Sequence, residues 1–375
     1  MKISIVGAGN AACVTALSYH LQGRIRGNEI GEIEIYYDPS VPIEKVGQGT
    51  LPLLTGMISQ VLGINHYQKE NKIEATLKSG ILYENWGKKT PKHFHPFLMN
   101  TTSIHYVPNL LSKAVLESGL FNVVEKNIED PEEEIDSDLI FDCRGGGDRN
   151  KHLYKELISP VNSVLLYNKK GRDPDLLYTR CVATPHGWTF VIPNMDSVSY
   201  GYLYNDTITS TQAARHDFIE RFNLPDDSTT NISFENYVAK NLFVGERTIL
   251  NGNRYSFLEP LEATSTGLYQ SVCRYVWDYI EGNMTKTESE YHIKRVVKQI
   301  ETFILWHYQF GSKYDTPFWK YAKSLPFEPD SYFNEFIEKS KLESYFELES
   351  KPRCDEDYYG EQWTYSTFRY WYDGV

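Results

Sequence analysis

Hydrophobic and polar positions at the start of the chain follow the order strand, helix, strand. Lys2–Val6 is a short apolar run typical of a buried strand, and residues 13–21 carry apolar side chains at helical spacing. Residues 32–38 then alternate between polar and apolar side chains and end on an acid, Asp38. This β-α-β order predicts the opening of a nucleotide-binding α/β domain.

Farther along, the pattern becomes β-rich and then mainly helical. Strand character over residues 73–86 is interrupted at Ser79 and Gly80, where small residues break the alternation. The other predicted strands are 121–126, 138–142, 188–192 and 197–204, and the predicted helices are 108–118, 211–222, 267–280 and 293–310. The acidic run 129–134 is expected to be a solvated loop.

Composition narrows the class of protein without identifying it. The net charge of -12 disfavours a nucleic-acid partner, because phosphate binding requires a basic surface. The five cysteines are scattered without zinc-ligand spacing, and no apolar run approaches the length of a membrane span. We therefore expect a cytoplasmic protein with no metal and no membrane contact. Aromatic residues make up 14% of the chain, a share that core packing explains as well as an aromatic-lined pocket does.

A glycine motif joins the first strand directly to the first helix. Gly7 permits a tight turn, Gly9 allows the backbone to approach a pyrophosphate, and Ala12 is small enough for the helix to pack on the strand. The helix N-terminus then faces the phosphates, and Asp38 stands where a ribose-binding acid belongs. The expected dinucleotide contacts are Gly7, Gly9, Asn10, Ala11, Ala12 and Asp38. The motif alone does not distinguish NAD from FAD.

Two later stretches resemble the flavin-dependent halogenases of the tryptophan-halogenase type. Residues 186–193, with the sequence HGWTFVIP, are similar to the family's W-x-W-x-I-P signature. Its positions fall on Trp188, Phe190, Ile192 and Pro193, with phenylalanine at the second tryptophan. Residues 257–265, FLEPLEATS, resemble the family's E-P-L-E-[SA]-T stretch, which opens a helix beside the flavin and the halide.

Further matches extend the resemblance from residue 3 to about residue 325, in the family's order. Gly252 and Asn253 stand where related flavoproteins have Gly-Asp against the flavin ribityl chain. Gly47, Gln48, Gly49 and Thr50 resemble the G-E-[AG]-T loop that covers the flavin. Residues 201–206 match a strand of the family. Residues 307–319 match its H-Y-x6-D-[TS]-x-[FY]-W stretch, which we interpret as a structural helix end.

The resemblance implies an FAD-binding Rossmann-like fold of the GR2 flavin monooxygenase type. Residues 1–325 would form the core, with a β-rich, substrate-side insertion at about 70–205 that splits the flavin-binding parts. The C-terminal part would be helical, and residues 326–375 would be an aromatic-rich extension packed on the core. Reduced FAD (FADH2) would come from a separate flavin reductase, and association into a homo-oligomer is compatible with this scheme.

The activity implied is the use of O2 and a halide ion to make hypohalous acid. A lysine would relay the oxidant to an electron-rich aromatic small molecule such as an indole or a phenol. In the family this lysine lies on a strand shortly before an Asn-Trp pair, and Lys78 precedes Asn85 and Trp86 here. Most lysines are solvated surface groups, but Lys78 lies among apolar and small residues. The relay could use a hydrogen bond or a haloamine.

Other site residues also follow from the resemblance. Glu262 is the expected assisting carboxylate, with Glu259 as the fallback, although either could simply cap the following helix. The halide would lie near Thr264 and Ser265, because helix starts attract anions. His95 would face the substrate and stack on it or take the leaving proton, unless it is an ordinary hydrogen-bonded loop histidine. Its neighbours Phe94, Pro96 and Phe97 complete the predicted substrate-binding residues.

Three alternatives share the opening motif, and one of them is a reductase or cyclase of the same FAD superfamily. An FAD-dependent aromatic monooxygenase, a hydroxylase, would usually reduce its own flavin with NAD(P)H. A catalytically inactive flavin-binding homologue is suggested by the departures at Gln48, Phe190, Asn253 and Ala263. The native substrate and the choice of chloride, bromide or iodide stay open. The aromatic tail could be a lid, a set of core strands or an interface.

Overall fold

The computed structural model of the chain describes residues 1–25, 27, 30–68, 70–97, 101–146, 149–225, 229–342 and 358–375. Gly147, Cys354 and the rest of residues 343–357 in the predicted extension lie outside the described residues. Among the described residues, no helix is both long enough and apolar enough to cross a membrane.

The elements follow the order α/β, then mainly β, then mainly helical. The α-helices are Asn10–Ile25, Pro52–Leu62, Pro108–Leu116, Pro131–Glu134, Thr211–Phe222, Ser265–Ile280, Lys286–Phe310, Pro317–Ser324, Ser331–Leu342 and Tyr365–Gly374. The strands are grouped below by sheet. Short 3-10 helices occur at Lys151–Leu153, Gly252–Arg254 and Leu261–Ala263.

A six-stranded sheet carries the predicted β-α-β opening. Its order is Phe243–Val244, Thr248–Leu250, Leu139–Asp142, Lys2–Val6, Glu32–Tyr37 and Asn122–Glu125. All neighbours are parallel except the first pair. The central strand Lys2–Val6 is almost wholly buried, as its unbroken apolar run predicts. The first helix begins at Asn10, three residues before the predicted start at Cys13.

The second large sheet has seven strands and is mostly antiparallel. Its order is Thr230–Ser233, Ser163–Lys170, Ser197–Tyr204, Gly187–Pro193, Thr179–Thr184, Gly80–Glu84 and Lys92–Pro96. Two strands inside the range 70–205, Asn122–Glu125 and Leu139–Asp142, belong instead to the six-stranded sheet. The two sheets are therefore interleaved along the chain.

At the predicted break, Ser79 and Gly80, the chain leaves one sheet and enters another. Thr76–Lys78 pairs with Ser103–Tyr106 in a three-stranded sheet completed by Gln48–Gly49. Gly80–Glu84 then joins the seven-stranded sheet. A Cβ atom at Gly80 would lie 2.2 Å from the His95 carbonyl oxygen, so only glycine fits this approach. Lys78 consequently ends a strand at the junction of two sheets.

Helices make up the C-terminal part. Ser265–Ile280 and Lys286–Phe310 pack on each other, and the second begins with a capping box between Thr285 and Glu288. Tyr365–Gly374 packs against the strand Lys92–Pro96. A small sheet of Tyr154–Glu156, Tyr237–Ala239 and Ser256–Phe257 completes the strands. The predicted fold class, an α/β nucleotide-binding fold with added strands and a helical C-terminal part, is confirmed.

Two local predictions differ from the structure. The pattern did not indicate Ser163–Lys170, whose last three residues are polar and exposed because the strand extends beyond the core. The acidic run is partly the helix Pro131–Glu134, not a loop throughout, and the Asp130 side chain caps it. Glu132 in this helix accepts hydrogen bonds from the backbone N–H groups of Glu246 and Arg247. At least one acidic side chain of the run therefore makes a tertiary contact and is not simply solvated.

Candidate active site

A cavity of about 1590 Å³ opens at the carboxyl edge of the six-stranded sheet. This edge is where open α/β sheets bind nucleotides, and the volume exceeds the roughly 300–1,000 Å³ of a drug-sized site. The predicted cofactor residues that line it are Gly7, Gly9, Asn10, Ala11, Asp38, Gly47, Gln48, Gly49 and Asn253. The other three predicted cofactor residues, Ala12, Thr50 and Gly252, do not line the cavity.

The turn at Gly7 has the close backbone approach that a dinucleotide fold requires. Its φ is +119°, and a Cβ atom would lie 2.9 Å from the Cys143 carbonyl oxygen. The helix that follows begins at Asn10, whose side-chain oxygen accepts a hydrogen bond from the Tyr106 hydroxyl at 3.1 Å. The positive end of the helix dipole therefore points into the cavity and suits a pyrophosphate. The residues present fit an FAD molecule.

Other residues of this cavity were not identified from the sequence. The buried Asp142 carboxylate pairs with Arg144 at 2.8 Å and with Arg254 at 3.1 Å. Both arginines line the cavity beside Asn253, whose side-chain oxygen accepts a hydrogen bond from the Tyr269 hydroxyl. The only sequence signal was the acid that ends a buried strand, followed by an arginine and glycines.

Gly252 lies where the first helix meets the turn before Asn253. Its φ is +67°, and a Cβ atom would lie 2.3 Å from the Ala11 Cβ. We expect Gly252→Ala to push the helix N-terminus away from the cavity and to weaken FAD binding about tenfold, or about 1.4 kcal/mol. FAD titration monitored by flavin fluorescence measures this affinity.

Gly282→Ala is the matched control for this prediction. Gly282 has a φ of +73°, so alanine meets a similar backbone penalty, but open space surrounds its Cβ position. Equal FAD affinity in Gly252→Ala and Gly282→Ala would contradict the assigned contact with the first helix.

A second cavity, of about 410 Å³, lies beside the first. His95, Pro96 and Phe97 line it, as do the aromatic rings of Tyr358 and Trp363 from the C-terminal tail. These rings make the cavity suitable for a planar aromatic molecule.

The predicted neighbour Phe94 lies apart from this cavity. Its side chain points to the opposite face of the strand, where it is 40% exposed and contacts the ring of Tyr178. Strand alternation explains the separation, since successive side chains face opposite sides of a sheet.

Lys78 is fully buried in the wall of the first cavity. Its Nζ atom has no hydrogen-bond partner among the described residues, and it lies 5.2 Å from the centre of the Phe97 ring. Burial lowers the pKa of Lys78 to about 8, although the charge of nearby Glu262 acts in the opposite direction. A buried amine that makes no hydrogen bond to the described part of the chain is available to a molecule that enters the cavity.

Glu262 lines both cavities and is held in an unusual backbone conformation. Its φ is +70°, and that of Ala263 is +55°, so two consecutive non-glycine residues occupy the left-handed region. Such strain persists only where the surroundings enforce it, and it is concentrated at functional sites. The turn leads into the helix Ser265–Ile280, and Thr264 and Ser265 line the first cavity at the start of this helix.

Three donors hold the Glu262 carboxylate. Oε1 accepts a short hydrogen bond from the Tyr83 hydroxyl and lies 2.9 Å from His307 Nε2. The indole N–H of Trp363 donates to Oε2 at 3.4 Å. Burial alone would raise the pKa of Glu262, but the hydrogen bond and charge of His307, the charge of His95 and the Tyr83 hydrogen bond lower it to about 2. The carboxylate therefore stays ionised in a buried position.

His307 and Tyr308 are more than the structural helix end expected from the sequence. His307 contacts Glu262, and the Tyr308 hydroxyl donates to Glu259 Oε1 at 2.6 Å. The two adjacent residues thus hold both glutamates of the E-P-L-E stretch. The signal that could have identified them was the polar His-Tyr pair at the end of an otherwise apolar helix face.

Both ring nitrogens of His307 face hydrogen-bond acceptors. Nδ1 lies 2.7 Å from the Phe303 carbonyl oxygen, and Nε2 lies 2.9 Å from Glu262 Oε1. A neutral imidazole has one N–H group and can satisfy only one of these contacts. Both contacts are satisfied together only when each ring nitrogen carries an N–H group.

The fallback glutamate occupies a different environment. Glu259 accepts hydrogen bonds from Tyr308 and from Ser159. Burial raises its pKa to about 7, against the opposing effect of these two bonds. Glu259 lines neither cavity. Glu262, in contrast, lies where the two cavities adjoin.

The tryptophan-motif residues divide between the cavity wall and the core. Phe190 and Ile192 line the first cavity, whereas Trp188 is fully buried. A Cβ atom at Gly201 would lie 2.1 Å from the Phe190 ring, so the glycine makes room for it. The carbonyl oxygen of Pro193 accepts a hydrogen bond from Thr76.

The C-terminal tail contributes directly to the site. Residues 358–375 form a bridge and a helix, not a set of core strands. The Trp371 ring lies 4.0 Å from the His307 ring, and Trp363 contacts Glu262. The tail therefore contacts the Glu262 carboxylate and forms one wall of the second cavity.

Comparisons with known proteins agree with this architecture. A family model described as tryptophan halogenase matches residues 2–117 and 109–351. The tryptophan 7-halogenase RebH of Lentzea aerocolonigenes is 23% identical over 428 residues, which cover 86% of this chain and 79% of the relative. The tryptophan 6-halogenase ThaL of Streptomyces albogriseolus is 26% identical over 211 residues, covering 51% and 39%.

Two solved structures share the fold. The tryptophan halogenase of Shewanella frigidimarina superposes with a TM-score of 0.80 at 16% identity, covering 100% of this chain and 88% of that one. The flavin-dependent halogenase Xcc4156 of Xanthomonas campestris gives 0.77 at 17% identity, covering 100% and 89%.

The fold and the glycine turn at the edge of the first cavity define an α/β protein of the nucleotide-binding class. Because the family model matches most of its length, the chain belongs to the tryptophan halogenase family of flavin-dependent oxidoreductases.

Proposed function

We propose that this protein is an FADH2-dependent halogenase that uses O2 and a halide to halogenate an electron-rich aromatic small molecule, such as an indole or a phenol. The observation that carries the proposal is Lys78, a fully buried amine in the wall of the first cavity that has no hydrogen-bond partner among the described residues. Glu262, which lines both cavities, lies within its electrostatic reach.

The first cavity supplies the cofactor site in this proposal. Bound FAD, reduced by a separate flavin reductase, would supply the electrons that let O2 oxidise a halide to hypohalous acid. The Gly7 turn and the following helix would hold the pyrophosphate, and Gly47–Gly49 would cover the flavin. The halide would lie beside Thr264 and Ser265, where the strained turn at Ala263 leads into a helix N-terminus.

Lys78 would receive the oxidant at the end of the first cavity. Its lowered pKa makes the neutral amine accessible, and the neutral amine can take up the halogen as a haloamine. The apolar surroundings, with the Phe97 ring nearby, exclude water that would otherwise compete for the oxidant.

Glu262 would stabilise positive charge and would not act as the base. Its two oxygens already accept from three donors, and its pKa is held near 2. A carboxylate of such low basicity is a weak proton acceptor, but its negative charge favours a cationic ring or an ammonium nearby. The proton lost by the substrate would then go to His95, whose imidazole lines the second cavity.

The second cavity would bind the aromatic substrate. His95, Pro96 and Phe97 form one wall, and Trp363 and Tyr358 face it from the tail. An aromatic ring between such groups gains stacking and apolar burial. Its volume of about 410 Å³ suits a molecule of one or two fused rings.

A product screen tests the proposal. The protein is incubated with FAD, NADH, a flavin reductase, O2, an equimolar mixture of chloride, bromide and iodide, and a panel of indoles and phenols. Mass spectrometry is expected to detect a halogenated product that depends on both the reductase and the halide.

Two results would contradict the proposed activity. A hydroxylated product formed without halide would favour the monooxygenase. Tight FAD binding with no halogenated product from any member of the panel would favour the inactive homologue.

A further inference from the structure

A cysteine thiol lies in the part of the first cavity that leads to Lys78. Cys181 lines this cavity, and its charge interactions include both Lys78 and Glu262. In the sheet, Cys181 is paired with Tyr83 on one side and with Phe190 on the other, so the three side chains share one face. Phe190 also lines the cavity, which places the thiol on the inner wall.

The same part of the cavity contains the unpartnered Nζ of Lys78. An oxidant that reaches this amine is therefore close to the Cys181 thiol, which lines the same cavity and interacts electrostatically with Lys78. Thiol sulfur is readily oxidised, and access decides which cysteines in a protein react. The halogenase mechanism itself makes no use of this thiol.

We propose that Cys181 intercepts hypohalous acid during turnover and is converted to a sulfenic acid, which limits how many turnovers the enzyme completes. The inference rests on the proposed function, which supplies the oxidant. Hypohalous acid transfers its halogen to sulfur and releases water, so the S–H bond is replaced by a sulfur–halogen bond. Water then displaces the halogen as halide plus a proton and leaves S–OH. Sulfur loses two electrons, and the halogen gains them.

Interception competes with the productive relay. Burial raises the pKa of Cys181, so the sulfur remains a protonated thiol, which is a weaker nucleophile than a thiolate. Lys78, in contrast, has its pKa lowered towards the working range. The two opposite shifts favour transfer to the amine and make oxidation of the thiol the minor, cumulative branch.

The other described cysteines provide internal comparisons. Cys143 lines the cavity at its opposite end, behind the Gly7 turn. Cys13 and Cys273 are buried in the core and do not line either cavity. The four described thiols are all buried, and Cys181 differs from the other three in lying near Lys78.

The test runs the holoenzyme with reductase, NADH, FAD, bromide and an accepted substrate until half of the initial rate is lost. Catalase removes hydrogen peroxide released by uncoupled flavin, and a parallel reaction omits the halide. Peptide mass spectrometry after trapping with a 1,3-dione is expected to find sulfenic acid at Cys181, dependent on bromide, with Cys273 unmodified.

Variants give a second measurement. Cys181→Ala, and Cys181→Ser in case the smaller side chain opens a cavity, are expected to complete several-fold more turnovers before half of their initial rate is lost. Cys273→Ala serves as the control and should match the unaltered protein. Because the turnover count is normalised to each variant's own initial rate, a change in that rate does not obscure the result.

The outcomes distinguish this inference from the proposed function. Halogenated product with Cys181 unmodified at half-inactivation, or Cys181→Ala losing activity after the same number of turnovers, overturns the inference alone. Absence of halogenated product in every reaction overturns the proposed function. In that event, treating the protein with dilute hypobromous acid shows whether Cys181 is oxidised before Cys273.

Discussion

Replacement of Lys78 by methionine is expected to lower the rate of halogenation by about three orders of magnitude or more, while FAD binding is retained. Methionine has a similar length and tolerates burial, so the cavity wall stays closed. It removes the feature that the proposal requires at this position, an amine that makes no hydrogen bond to any residue the structure describes. Product formation by mass spectrometry and FAD titration measure the two effects separately.

Two further variants sharpen this prediction. Lys78→Arg keeps a donor and a positive charge but lacks an amine that can become neutral, so it should be nearly as inactive as Lys78→Met. Lys113→Met, at an exposed lysine whose partner is Glu117, controls for the loss of one charge. Halogenation by Lys78→Met at the rate of the unaltered protein would refute the assignment of this lysine.

The pH dependence distinguishes the two relays that the sequence left open. Burial lowers the pKa of Lys78 to about 8, so the neutral amine is the minor form below that pH and the major form above it. A haloamine requires the neutral form, and the rate of the halogen-transfer step should rise as the pH increases through about 8. A rate that falls over the same interval would indicate that the ammonium holds the oxidant by a hydrogen bond.

Glu262→Gln is expected to lower kcat by two to three orders of magnitude, with roughly 1–3 kcal/mol lost from the free energy of unfolding. The amide removes the negative charge beside Lys78. It also has only one acceptor oxygen, whereas Tyr83, His307 and Trp363 all present donors to this side chain. At least one buried donor is left facing an N–H group. Steady-state kinetics and thermal unfolding measure the two losses.

Glu259→Gln is the matched control. Glu259, like Glu262, is buried, and its carboxylate accepts hydrogen bonds from two donors. It does not line either cavity. We expect it to lose stability with little change in kcat. The reverse result, with activity lost in Glu259→Gln and retained in Glu262→Gln, would show that the fallback carboxylate is the functional one.

Short-range patterns made much of the fold predictable. The apolar run at Lys2–Val6, the glycines at 7 and 9 and the helical spacing that follows are local signals, and the structure contains the β-α-β unit they predict. The strand Ser197–Tyr204 and the helix Thr211–Phe222 also have the bounds expected from their periodicity. Ser163–Lys170 was missed because its last three residues extend into solvent and carry no apolar alternation.

The site was predictable only in part. The sequence indicated Lys78 and Glu262 through their motifs, and the structure brings them within electrostatic reach of each other. It could not indicate that Phe94 faces away from the second cavity while His95 faces it, because the register of the strand decides this. His307 was interpreted as structural, since nothing within its own helix shows that it contacts a carboxylate 45 residues away in the sequence.

The sequence by itself determined the class of fold, the dinucleotide turn and the family, because these depend on residues close together in the chain. Only the tertiary structure decided the environment of the chemistry. The Glu262 carboxylate is held by groups from a strand, a distant helix and the C-terminal tail, namely Tyr83, His307 and Trp363. The Cys181 thiol lies near Lys78 because two sheets meet there. Burial and hydrogen bonding set the charge of these groups, and both depend on parts of the chain that come together only on folding.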